Sequence, residues 1–346
     1  LKKFFNLSSL SISKESLSIA LDTLEKNNYN TEKLSLQKIK FPKVESPLVS
    51  IIIPAHNEIK TIYYCLCSIL SAYNETKYEV IVVDDGSTDG TSSWINNNKA
   101  NLPHVVLFQQ KHGGPALGRN LGVIKSKYEI IIFIDSDLIV LDNFINCHVE
   151  KLLASWRKND KKCFTYGSVV NTSNFLNPQS EKHKIMDTSF AYFATGNVAI
   201  SKELILSVGL FDTSFSLYGW EDLELGERLK KIGTKLIKCP NAVGFHWHPP
   251  FNCEQIDSLI AQEKERAKMA LVFYKKHPNL RVRFMIQLTP LHNLLWQILC
   301  LGGLISVDRI LPLLRFLVNI RRNRLALEIL RIPLNMIYIK QLTKSR

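Results

Sequence analysis

Residues 128–140 read YEIIIFIDSDLIV, a run of apolar side chains into which Asp135 and Asp137 are set one serine apart. A continuous Ile/Phe run of this length is the pattern of a strand buried on both faces, as in parallel sheets covered by helices. An ionised carboxylate inside such an element is costly unless a partner offsets it. The strand is therefore expected to end at Asp135 and to present both carboxylates at its carboxyl end, where ligands sit in open α/β sheets. Taken alone, the stretch would also suit a capping or turn pair of aspartates.

The chain upstream repeats the arrangement. LVSIIIPAHNE (48–58) reads as a strand stopped by Pro54, and TIYYCLCSILSAY (61–73) has helical spacing. YEVIVVDDGSTDGT (78–91) is a strand running into a turn, SSWINNN a short helix, HVVLFQQ a strand, and GGPALGRNLGVIKS (113–126) a helix. Strands alternating with helices imply βαβ units and a mostly parallel sheet. Three strand ends then carry polar clusters: His56, Asn57 and Glu58; Asp84 and Asp85; Asp135 and Asp137.

Composition excludes several classes. With 46% hydrophobic and 22% charged residues in 346, the chain is globular and long enough for one large or two modest domains. Its seven cysteines form no CxxC pair and no zinc-ligand spacing, as expected of buried small hydrophobes in a reducing compartment. Residues 1–30 lack a basic-then-apolar signal peptide, from which a cytoplasmic location is expected. The formal charge of +13 is concentrated after residue 280, where eleven Lys/Arg face two Asp/Glu. That region is strongly apolar and holds no nucleic-acid module, so an anionic membrane surface is the expected partner and nucleic acid is not.

Each cluster has a plausible task. Nucleotide bases and riboses need carboxylate acceptors, which Asp85 could supply, although DDGS is also an Asx-type turn. Gly113 and Gly114 before Pro115 suit a helix start, a natural diphosphate site to which Arg119 adds a fixed positive charge. Asp135 and Asp137 suit a hard divalent cation bridging such a diphosphate.

Together, VSIIIPAHNE, VIVVDDGSTDGT, GGPALGRNLG and FIDSD resemble the family 2 glycosyltransferases of GT-A fold, in matching order and spacing over roughly residues 48–140. The resemblance implies a nucleotide-sugar donor, a DxD metal site for Mn²⁺ or Mg²⁺ at Asp135 and Asp137, and inverting transfer. It further implies base and ribose contacts from Pro54, His56, Glu58 and Asp85, with Arg119 near the phosphates and Asp135 on metal or ribose. His56 stands where such enzymes often carry tyrosine, and ALGRN replaces the commoner small-small-Arg-Asn run.

FATGNVAISKELILSVGLFDTSFSLYGWEDLELGERLKKIG (193–233) is similar to the C-terminal part of galactosyltransferase-type and chondroitin-polymerase-type enzymes. Inverting displacement needs one carboxylate to take the acceptor proton. Asp222 matches the family's base position, with acceptor contacts implied for Asn197, Trp220 and Glu221. Helix capping would satisfy the same acidic pair. In NAVGFHWHPP, His246 falls where related enzymes place a metal-binding histidine, with His248 as the alternative. Trp220 and Trp247 could stack on sugars or sit in the core.

EQIDSLIAQEKERAKMALVFYKKH (254–277) reads as one helix closed by Pro278. Beyond it, the apolar run is too interrupted for a spanning helix. It suits either a packed helical subdomain or monotopic attachment to the inner face of the membrane, near a glycan or lipid-linked acceptor. The expected organisation is an N-terminal extension (1–46), a GT-A domain (47–278) and a basic helical region (279–346). The rival functions are a sugar-nucleotide pyrophosphorylase, which should open with a Gly-rich, Arg-containing loop where PAHNE stands, and a non-catalytic glycan- or nucleotide-binding protein.

Overall fold

The structure, a computed structural model, describes residues 48–72, 76–158, 161–178 and 191–344. The extension expected over residues 1–46 lies outside the described residues. The described chain forms two compact units. One runs up to Ser216 and includes Glu221–His248; the other comprises Leu217–Trp220 and Pro249 onwards.

The first unit is built on an eight-stranded sheet, ordered β3-β2-β1-β4-β7-β6-β8-β5. Its parallel half contains β1 (Val49–Ala55), β2 (Tyr78–Asp84), β3 (Val105–Gln109) and β4 (Ile130–Ile134). Period-two alternation sends Ile51, Ile53, Ile130 and Ile132 into one core and Ile52, Ile131 and Phe133 into another. The first core is covered by α1 (Ile62–Ser71) and α4 (Phe144–Arg157), with α2 (Thr91–Asn97) at its margin. The second is covered by α3 (Pro115–Lys125), α5 (Lys202–Ser207) and α6 (Glu221–Lys231). Both faces are buried, which is why the strands read as unbroken apolar runs. Gly122 lets α3 lie directly on β1, since a Cβ there would stand 2.4 Å from Ile52 Cγ2.

Pro54 does not stop β1, which runs on to Ala55. The reason is local: β4 pairs with β1 only from Val49 to Ile52, so Pro54 has β2 as its one neighbour. A missing N–H is tolerated where one side of the ladder is open.

The other half is mixed, and four of the seven strand pairings in the whole sheet are parallel. β7 (Asn197–Ser201) is antiparallel to β4 and β6 (Cys163–Thr172), and β8 (Lys235–Trp247) runs parallel to β6. β5 (Leu138–Val140) follows β4 after only Asp135, Ser136 and Asp137, yet pairs with β8 at the far end of the strand order. Three residues reach about 10 Å, so the sheet must curl until the end of β8 meets the end of β4. The second apolar run in YEIIIFIDSDLIV is this closing strand.

The second unit is helical: α7 (Ile256–Lys276), α8 (Leu280–Met285), α9 (Pro290–Leu299), α10 (Val307–Asn319) and α11 (Asn323–Lys344). One of its cores joins Phe251, Ile256, Leu314, Leu317, Ala326 and Leu330. α7 packs along α11, so the compact units part at Pro249 rather than at Pro278.

Candidate active site

The curl of the sheet assembles the first cluster. β5 and β8 pair Leu138 with His246, and the Trp247 N–H donates to the Asp137 carbonyl at 3.0 Å. His246 Nε2 consequently lies 3.0 Å from Asp137 Oδ2. Asp135, Asp137 and His246 each offer a ligand atom, all within 4.8 Å of one another. Burial disfavours protonated His246, but the hydrogen bond to Asp137 and the charge of that carboxylate more than offset it, so the imidazole pKa is raised. Burial raises Asp135 too, against the opposing pull of Arg119. His248 sits behind His246, with its Nε2 3.1 Å from His246 Nδ1. The register of β8 thus puts one histidine on the aspartates and the other on that histidine.

Two carboxylates and one imidazole form an oxygen-rich donor set of the kind Mn²⁺ and Mg²⁺ accept. A second grouping, His56, Asp85 and His112, also has its ligand atoms within 4.8 Å. There, however, Asp85 is already occupied: Oδ1 accepts from Gln110 Nε2 (2.6 Å) and the Gly113 N–H (2.9 Å). Its Oδ2 accepts from the Gly114 N–H (2.8 Å) and faces His112 Nδ1 (2.9 Å). The donor chemistry and freer carboxylates favour the first cluster as the seat of a hard cation.

The second part of the site comes from α3 and α6. Arg119 is buried; its Nη1 donates to Glu221 Oε1 at 2.8 Å, and its Nη2 faces Asp135 Oδ1 at 3.3 Å. One planar guanidinium therefore ties the acidic start of α6 to the end of β4. Glu221 Oε2 is buried without a hydrogen-bond partner among the described residues. Asp222, next along, accepts from the Leu223 N–H at 2.8 Å. Burial, then the neighbouring Glu221 charge, lift its pKa to about 7, although Arg119 and the Leu223 N–H pull the other way. A carboxyl poised there can hold or release a proton near neutral pH.

The nucleotide-side expectations meet at the ends of β1 and β2. His56 Nδ1 lies 2.8 Å from the Asp85 carbonyl, and its ring centroid is 4.3 Å from that of His112. Glu58 is half-buried, accepts from Thr61 Oγ1 at 2.5 Å, and has its pKa raised by burial despite that bond. Pro54 packs beside α3, near the site of Gly118. Asp84 turns away and accepts from Ser87 and Ser92. The glycine turn expected to receive phosphates directs the Gly113 and Gly114 N–H groups at Asp85 in this structure.

Asn197, expected to contact the acceptor, is buried and committed elsewhere. Its Oδ1 lies 2.8 Å from His148 Nε2, and its Nδ2 donates to the Ser168 and Ala242 carbonyls. These bonds join β6, β7, β8 and α4, and they keep a histidine whose pKa burial depresses to about 4. Trp220 clusters with the second unit, its Nε1 donating to the Arg266 carbonyl at 2.8 Å and its ring beside Phe273. The Trp247 ring packs on Phe175, with centroids 4.7 Å apart. His112 and Gln110 were not singled out by sequence. The position of His112 just before the glycine pair is the one signal that pointed to it.

Residues 50–207 match the family model for glycosyl transferase family 2. Over that segment the chain resembles a family 2 glycosyltransferase domain, and its relatives there support a glycosyltransferase. It is 25% identical to an uncharacterised glycosyltransferase of Bacillus subtilis, over 61% of this chain and 68% of that protein. To the chondroitin synthase of Escherichia coli it is 29% identical, over 58% of this chain but only 35% of that protein. A mannosyltransferase from Pyrobaculum calidifontis, solved with GDP-Man and Mn²⁺, superposes with a TM-score of 0.54 at 16% identity. The alignment covers 96% of this chain and 97% of that one, and shows the GT-A fold.

Proposed function

We propose that the chain transfers a sugar from a nucleotide-sugar, with a UDP-sugar as the first candidate, to a hydroxyl of a glycan or lipid-linked acceptor, with inversion at the sugar C1. The observation that carries this reading is the placement of Asp222, a half-buried carboxyl whose pKa its surroundings lift to about 7, at the helix start that Arg119 ties to Asp135. Asp222 takes the acceptor hydroxyl proton as the oxygen bonds to C1 and the bond to the diphosphate breaks on the opposite side, so no covalent enzyme intermediate forms. Glu221, with Oε2 unpartnered, accepts a hydrogen bond from an acceptor hydroxyl. Arg119 holds Glu221 in place while balancing the charge beside Asp135.

Asp135, Asp137 and His246 would hold the Mn²⁺ or Mg²⁺. Such an ion supplies positive charge for the departing diphosphate. On the nucleotide side, His56 offers a flat ring to the base, and Asp85 and Glu58 offer acceptors to base and ribose. Engaging Asp85 in this way requires the Gly113–Gly114 turn to yield part of its hold on that carboxylate. GDP-mannose, which the Pyrobaculum enzyme binds, is the natural second donor to test.

The deciding experiment is a panel of nucleotide-sugars with simple glycan acceptors, scored by released nucleoside diphosphate in the wild type and in Asp222→Asn. Acceptor-dependent release that disappears in the variant supports the proposal. Release that is unchanged in the variant removes Asp222 as base.

A further inference from the structure

The second unit contains a helix that is apolar in sequence and unburied in structure. α9 has no buried residue. Leu291, Leu294, Leu295, Ile298 and Leu299 recur at the i, i+3, i+4, i+7, i+8 spacing that lines one helix face. In a soluble unit that face should point at the core. Here, with Leu301 and Leu304 of the following turn, these side chains are 40–66% exposed. Seven large aliphatic groups exposed within fourteen residues is more than the scattered surface leucines of an ordinary monomer. α10 adds Leu313 and Phe316, both exposed, beside its buried Leu314 and Leu317.

The charges indicate what covers this face. From residue 284 to 307 there is no Asp, Glu, Lys or Arg, whereas the flanks are basic. Arg309, Arg315, Arg321, Arg322 and Arg324 are exposed. Of the two acids after residue 280, Glu328 is paired with Arg331, leaving Asp308. A second copy seated on the same face would bring two identical basic rims together, which like-charge repulsion opposes. No helix among the described residues is long and apolar enough to cross a membrane. An apolar helix face between arginines is the pattern of a segment lying in the plane of an anionic bilayer surface.

We propose that α9 and the turn after it seat in the headgroup–acyl boundary of an anionic lipid bilayer, with the arginines after Asp308 on the lipid headgroups. This surface belongs to the second unit alone and needs no assumption about the transfer reaction.

The test is flotation of the full chain with phosphatidylglycerol/phosphatidylcholine vesicles and with phosphatidylcholine vesicles, at low and high salt. The wild type should partition onto the anionic vesicles at least tenfold better than onto neutral ones, and high salt should weaken it. Leu294→Asp/Ile298→Asp places carboxylates on exposed positions and should lower partitioning at least tenfold with the thermal melt unchanged. Should that variant fail to fold, Leu294→Ala/Ile298→Ala carries the same comparison with a smaller loss. Arg321→Glu/Arg322→Glu should abolish the preference for anionic lipid. A wild type that stays in solution at low salt overturns the proposal, as does an Asp variant that floats equally well. So does a wild-type dimer that the Asp variant dissociates while neither binds lipid, since the face would then join two copies of this chain.

Discussion

Arg119 and Glu221 stand 102 positions apart in the chain and meet in an ion pair of 2.8 Å, both side chains under one-tenth exposed. Removing one member of a buried pair leaves the other charge without compensation, at roughly 3–5 kcal/mol. Arg119→Met should therefore lower stability by about that amount, because Glu221, Asp222 and Asp135 would share the site with no cation. Adding Glu221→Gln should restore part of the loss. Denaturant melts of the two single variants and the double variant check this: a double variant whose loss equals the sum of the singles would mean that the pair is not coupled.

The two partners of that pair were each legible in the sequence, but the pair was not. Arg119 and Glu221 emerge from local motifs, one at a helix start after two glycines and the other at a helix start after a tryptophan. Neither motif specifies that α3 and α6 cover the same sheet face. The parallel half of the sheet was readable because burial on both faces imposes continuous apolar runs. The pairing of β5 with β8 was not, since three apolar residues after Asp137 carry no information about a partner a hundred residues away. Hence the sequence favours His246 over His248 only through its distance along the chain in related enzymes; the register that pairs Leu138 with His246 is what sets His246 beside Asp137 in this structure. The exposure of α9 was illegible for a related reason, because an amphipathic stripe reads the same whether it faces a core or a lipid surface.

Asp222 yields a prediction in which activity and stability move differently. Its folded-state pKa of about 7 lies above the ordinary carboxyl value. The stability linked to this group is therefore complete below the unfolded pKa and is lost as pH rises through about 7. Asp222→Asn removes that dependence. The variant should melt at the same or a higher temperature than wild type at pH 8, with the difference shrinking towards pH 5. Its transfer rate should fall by roughly 10² to 10⁴, the range for loss of a general base. In wild type, kcat/KM should rise with pH up to about 7 and then level. A profile flat from pH 5 to 8 would remove the base assignment.

The cation cluster predicts a graded response to changes in its ligands. Asp137→Asn should abolish transfer with the fold intact, and His246→Ala should weaken Mn²⁺ binding while raised Mn²⁺ recovers part of the rate. His248→Ala removes a group that touches His246. Its effect should fall within the 10- to 100-fold range of residues that orient a ligand. Mn²⁺ titration of the apo-protein by calorimetry ranks the three. Transfer that survives exhaustive chelation would show that the cluster does not need an ion.

Gly196 offers a finer probe of the same site. A Cβ at this position would stand 2.9 Å from Asp135 Oδ2, closer than carbon and oxygen approach without displacement, and the next nearest atom is the carboxyl carbon of Asp135 at 3.8 Å. Apart from the flanking residues Thr195 and Asn197, no other atom of the described residues lies within 4 Å of that position, so the carboxylate is the group that yields. The adjacent Asn197 is locked by its bonds to Ser168 and Ala242, so the backbone at residue 196 has little freedom to retreat. Gly196→Ala should therefore rotate Asp135 away from the Arg119 side or from the cation cluster. Global stability should change by less than the 1–3 kcal/mol typical of overpacking a rigid core, because a carboxylate that is one-third exposed can move. The expected result is a near-normal melt with a clear loss of Mn²⁺ affinity and transfer. A variant that keeps both would show that the orientation of Asp135 in this structure is not the one that matters for function.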